Sequence, residues 1–250
     1  MFRQEITNQL DHDPHFKWRG ETVTRLENLS DIVFALALGF LISSSTPPTT
    51  FDELLPHLGG IIPISAGFAV MLMIWRTHFT FFRRYGFADG RIVFLNATLL
   101  LLILFIAHPL AFSFESFFAF VIGIVIQDWT MMDAMGIETY RQAGVIISCF
   151  HIGYAFVFFL IERMYHHALK NSDVLNLSSA EQIITTRTIW ICRIQVFLAL
   201  IIAPFAWLHF LGPVWGFLGI LNWPAAIFIN HIFKLTKEET TQVPKRDLSN

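Results

Sequence analysis

Arg25-Leu-Glu-Asn-Leu-Ser30-Asp31, followed at once by IVFALALGFLI through residue 42, is the stretch that decides the fold. Its uninterrupted apolar run, residues 32–42, falls short of the ~20 helical residues that span a bilayer's hydrocarbon. The polar residues before it extend the helix to spanning length. A serine and an aspartate in such a helix are costly unless they face protein or water, so other protein is expected to enclose it. At roughly 100° per residue, Leu29, Ile32, Leu36, Phe40 and Ser43 fall on one stripe, with Gly39 at its edge. Ser30 and Asp31 point away from that stripe. One face is therefore apolar, while another demands hydrogen-bond partners. The plain reading of that division is ordinary helix packing around a satisfied polar pair.

Composition agrees with a membrane setting. Of 250 residues, 54% are hydrophobic and 14% charged, and 27 are Phe; soluble domains carry about 25% charged residues. The mean hydropathy is positive. A net charge of -2 gives no reason to expect nucleic acid as a partner. Cys149 and Cys192 both lie in apolar segments and read as small buried side chains. Residues 1–24 are polar and charged, so no cleavable signal peptide is expected.

Spans are expected at 26–45, 60–81, 92–111, 143–162, 189–210 and 212–233. A further apolar stretch, 113–127 (SFESFFAFVIGIVIQ), either lies at the outer interface or extends the third helix past a bend at Pro109. With six spans, one side receives Arg3, Lys17, Arg19, Arg25, Arg83, Arg84, Arg91, Arg163, Lys170, Arg187 and the basic tail, and the other only Arg141. By the positive-inside rule both termini are cytoplasmic. A seventh crossing at 113–127 would destroy that asymmetry. The organisation expected is an all-α integral membrane protein. It has a cytoplasmic segment over 1–24, a six-helix membrane domain over 25–234 and a flexible cytoplasmic tail over 235–250. A short interfacial helix within 1–20 and a helix N-cap at Ser178 or Ser179 are further expectations.

The motif Arg25…Leu29-Ser30-Asp31 resembles the arginine-x-x-x-phenylalanine-serine-aspartate signature of the endosomal/lysosomal potassium channel family (transmembrane protein 175) and its bacterial relatives. The likeness continues in order through Trp75-x-x-His78, Asp89, Leu95-Asn96 and His108-Pro109, covering roughly residues 25–110. It implies a homotetramer in a bacterial cytoplasmic membrane, with the first helix of each subunit lining a central pore closed by apolar rings. It also implies permeation of K⁺, and for some members protons or other monovalent cations. No TVGYG-like filter occurs in the sequence. Carried over by position, Leu36 falls at the main constriction, with Phe40 and Ser43 further outward and Ile32 inward. Ser30, Asp31, Trp75, His78 and Asn96 would form a polar network fixing the first helix, and Arg25 either joins it or faces the inner mouth. The sequence departs from the pattern at Leu29 (phenylalanine in the signature), Ile32 (usually glycine in the bacterial relatives) and Gly39 (usually threonine).

His78 reads either as a neutral buried hydrogen-bond partner or as a pH sensor. The acidic residues Asp52, Glu53, Glu115, Asp128, Asp133 and Glu138 of the outer loops either concentrate cations or simply reflect exclusion of positive charge. Catalysis is not expected. His151, His166 and His167 form the densest histidine group, but without a HExxH pattern, and no metal or cofactor is expected. A secondary transporter is the alternative from another class, although the sequence shows none of the repeats such proteins usually carry. A proton-permeable or non-conducting homologue is a further alternative.

Overall fold

The computed structural model describes residues 16–20, 22–43, 48–208 and 212–233, and all regular structure among them is helical. The elements are α1 (Arg25–Ile42), α2 (Phe51–Gly59), α3 (Ile61–Tyr85), α4 (Gly90–Ile126), α5 (Thr130–Ala134), α6 (Tyr140–Lys170) and α7 (Ser179–Trp207). A 3-10 stretch (Gly212–Leu221) and α8 (Asn222–Ile232) complete the order. The expected tail over 235–250, and residues 1–15 of the expected interfacial helix, lie outside the described residues; 16–20 are not helical.

Among the described residues four helical segments are long and apolar enough to cross a membrane: Phe51–Tyr85, Gly90–Ile126, Tyr140–Lys170 and Ser179–Trp207. α1 is 18 residues long and carries Arg25, Glu27 and Asp31, so its polarity, not its length, sets it apart.

Local chemistry fixes the helix ends. Thr24 and Glu27 form a reciprocal capping box at the start of α1, as do Thr139 with Gln142 for α6 and Ser178 with Glu181 for α7. Asp89 caps α4, its side chain accepting from the Ile92 amide at 2.9 Å. Burial pushes the Asp89 carboxyl up, but the Ile92 amide and the His167 ring outweigh it and hold the group below the ordinary carboxylate range. Gly86 ends α3 at φ 56°, and a Cβ there would lie 2.8 Å from the Arg19 backbone, so both conformation and space require glycine.

α4 is the central pillar, packing against α1, α3, α5 and α6, while α6 and α7 form the closest antiparallel pair. Phe34, Met71, Ile74, Ile103, Phe158 and Ile161 fill the space between these helices. The stretch 113–127 continues α4 through Pro109 to Ile126, so it extends the third helix and is not a separate interfacial segment. At about 1.5 Å per residue, its 37 residues exceed the ~30 Å hydrocarbon thickness. Proline leaves one turn of the ladder without a donor, and the Ser113 hydroxyl donates to the Pro109 carbonyl at 2.7 Å.

The single helix expected over 212–233 is corrected: the 3-10 stretch occupies its first ten residues. Gly212, Gly216 and Gly219 weaken α-helix there, and Pro224 offers no amide to the carbonyl four residues earlier.

Candidate functional site

α1 packs against α3 and α4, and its two faces differ sharply. Ser30, Phe34, Ala37 and Leu41 are buried against those helices. On the other side Ile32 is 59% exposed, Leu36 50% and Phe40 40%, with Leu29, Gly39 and Ser43 exposed beside them. A Cβ added at Gly39 would meet nothing within 4 Å. Apart from His108 beside Phe40, the described residues leave the apolar stripe uncovered, which is an unusual disposition for side chains of this size.

The buried face is held by two separate polar clamps. In the first, the Trp75 indole donates to Asp31 Oδ1 at 2.9 Å, and the Trp75 ring stacks on Phe79. The second is a relay. The Ser30 hydroxyl donates to the Leu26 carbonyl (2.8 Å), so its oxygen is free to accept from Asn96 Nδ2 (3.0 Å). Asn96 Oδ1 then faces His78 Nε2 at 2.7 Å. An amide oxygen only accepts, so Nε2 carries the proton and every bond in the chain has a defined direction. Phe34 and Phe82 flank the His78 ring. Ser30, His78 and Asn96 are all buried, whereas Asp31 is exposed apart from its indole contact.

Asn96→Leu tests the relay. It leaves the His78 Nε2–H unpaired and Ser30 with only its Leu26 bond, and a buried polar group left unpaired costs about 1–3 kcal/mol. A lowered unfolding temperature of the purified variant is the expected result; unchanged unfolding would show that the relay holds nothing.

Arg25 stands apart from both clamps: it is exposed, and among the described residues nothing pairs with it. His108, next to Pro109, lies beside the stripe, its ring centroid 5.2 Å from that of Phe40.

Sequence reasoning missed the anchor below the clamps. Arg83 Nη2 donates to Glu27 Oε2 at 2.6 Å, with both side chains buried, and Arg83 Nη1 donates to the Gly20 carbonyl at 2.8 Å. The segment 16–20 forms a strap across the same end. Phe16 is fully buried beneath the Arg84 guanidinium, edge-on to Tyr85. Arg19 grips Glu181 with two parallel bonds of 2.8 and 2.9 Å and also donates to the Leu175 and Asn176 carbonyls. The Thr24-x-x-Glu27 capping pattern was readable in the sequence, but no local signal pairs Glu27 with Arg83 or Arg19 with Glu181.

The pattern of the endosomal/lysosomal potassium channel TMEM175 family matches residues 25–106. A potassium channel of Marivirga tractuosa is 30% identical over 228 residues, covering 88% of this chain and 91% of its own. The crystal structure of a variant of the potassium channel MtTMEM175, solved with a nanobody fusion protein, superposes with a TM-score of 0.77. It is 29% identical and covers 88% of this chain and 97% of that one.

Proposed function

The chain belongs to the endosomal/lysosomal potassium channel TMEM175 family, and from that membership we propose that it is a K⁺-permeable channel whose pore is lined by α1 from four copies. The family is one of membrane channels, not a class of enzymes. The observation that carries the proposal is the uncovered stripe on α1, set opposite a face pinned by two polar clamps. A large apolar face that the described residues leave mostly uncovered calls for another surface, and cyclic assembly of identical copies supplies one. Around such an axis Ile32, Leu36 and Phe40 would form successive apolar rings. A narrow apolar ring expels water, and an ion stripped of water has no compensating ligands there. No carbonyl-lined filter is needed in this scheme.

The membrane domain would run from residue 25 to 234 with six crossings, the four long apolar segments being joined by α1 and by the 3-10 stretch with α8. Both flanking segments would be cytoplasmic, and the housing membrane a bacterial plasma membrane. Ser30, Asp31, Trp75, His78 and Asn96 would hold α1 in register, while Arg25 would face the inner mouth. Gly39 places no side chain toward the axis, so discrimination between K⁺ and Na⁺ or protons would depend on the apolar rings alone.

Purified protein in liposomes is expected to carry K⁺ down its gradient and to have the mass of four copies in detergent. Saturable uptake coupled to protons would instead indicate a secondary transporter, and silence from verified tetramers a non-conducting homologue.

A further inference from the structure

The last described segment of the chain encloses space as well as packing against its neighbours. Between α3, α4, α6, α7, the 3-10 stretch and α8 lies a cavity of about 570 Å³, within the range of roughly 300–1,000 Å³ usual for small-molecule sites. Its wall is mostly apolar, with Phe114 and Phe150 among its rings. His151, Gln195 and Asn222 contribute the polar atoms, and none of them belongs to the clamps on α1.

The hydrogen bonds already made there define what is missing. His151 Nδ1 lies 2.8 Å from the Ile147 carbonyl, which can only accept, so Nδ1 carries the proton. With no carboxylate among the described lining residues to compensate a buried imidazolium, the ring is neutral and Nε2 is an acceptor. Asn222 spends an amide hydrogen on the Gly219 carbonyl at 3.0 Å, and its Oδ1 is buried without any partner. Gly219 joins the two groups, since a Cβ on it would sit 3.9 Å from His151 Nε2. Tyr154 already donates to Gln195 Oε1 at 2.8 Å, so that donor is taken.

The site therefore offers two acceptors, His151 Nε2 and Asn222 Oδ1, with the Gln195 amide as a donor, beside an apolar wall. Among the described lining residues none is a carboxylate, lysine or arginine, so a cation or an anion entering it would shed its water with no opposing charge. We propose that the cavity binds a neutral alcohol with an apolar chain, of the kind that partitions into bilayers. The hydroxyl donates its one hydrogen to Asn222 Oδ1, with His151 Nε2 as the second acceptor beside it, and the chain lies along Phe114 and Phe150.

Photolabelling of wild-type protein in liposomes with a diazirine-bearing octanol, read by peptide mass spectrometry, tests this. Adducts are expected on the α4 and α6 peptides holding Phe114, Phe150 and His151, and excess 1-octanol should suppress them. Loss of one hydrogen bond should weaken that labelling roughly two- to tenfold, both in Asn222→Leu and for a matched diazirine alkane without a hydroxyl on the wild type. The alkane comparison needs no variant to fold. Equal labelling by the alkane, or adducts spread over the helices without competition, would overturn the proposal.

Discussion

Reconstituted Leu36→Ala is expected to pass K⁺ about tenfold or more faster than the wild type, a change that corresponds to about 1.4 kcal/mol off the barrier. The reasoning starts from exposure: Leu36 is half exposed in its own subunit, and in the proposed assembly it would make its contacts across the axis. Removing its isobutyl group from every copy widens the ring and lets water, and with it a hydrated ion, remain in the constriction. The same exposure means that little of the subunit's own core is lost. Phe34→Ala, two residues away on the buried face and 1% exposed, is the informative contrast. It should cost about 3–5 kcal/mol of stability without opening the pore. If Leu36→Ala elutes as the wild type does but carries K⁺ no faster, the constriction is elsewhere.

Glu27→Ala should be the most destabilising change on α1. It leaves Arg83 buried without its carboxylate, and breaking one side of a buried pair costs about 3–5 kcal/mol. It also dismantles the capping box with Thr24, typically worth about 1 kcal/mol. For a chain of this length, thermal unfolding in detergent should shift down by roughly 10 °C. Glu27→Gln keeps the reciprocal cap and should recover part of the loss. Replacing both partners together, Glu27→Leu with Arg83→Met, should cost less than Glu27→Ala, because no charge is stranded. An unfolding temperature for Glu27→Ala within about 1 °C of wild type would mean the pair contributes nothing.

Much of this arrangement is local and therefore readable in the chain. The α1 stripe follows from helical period alone, because Leu29, Ile32, Leu36, Phe40 and Ser43 repeat at the spacing of one face. The clamp residues stand out because polar side chains in apolar helices need partners. What hydropathy cannot see is geometry that ignores the bilayer. α4 continues some 15 residues beyond the expected end at 111 because nothing in 113–127 stops a helix, and Pro109 is accommodated inside it. The 3-10 stretch at 212–221 is as apolar as a spanning helix, and its glycines and Pro224, not its hydropathy, decide the outcome. The division of the expected polar network into two clamps depends on which neighbour each side chain of α1 meets. So does the pairing of Glu27 with a residue 56 positions away. Both are properties of packing and not of any one segment.

The strap has a consequence for how the protein is made. Glu27 finds Arg83 and Ser30 finds Asn96 across 56 and 66 residues, but Arg19 must wait for Glu181, 162 residues later. At about 5–20 residues per second of synthesis, that interval lasts roughly 8–30 s. During it α1 is held by its neighbours on one face while the strap at its N-terminal end is still unfastened. Closure of the Arg19–Glu181 grip therefore comes only after α1 to α6 have been synthesised and α7 has begun.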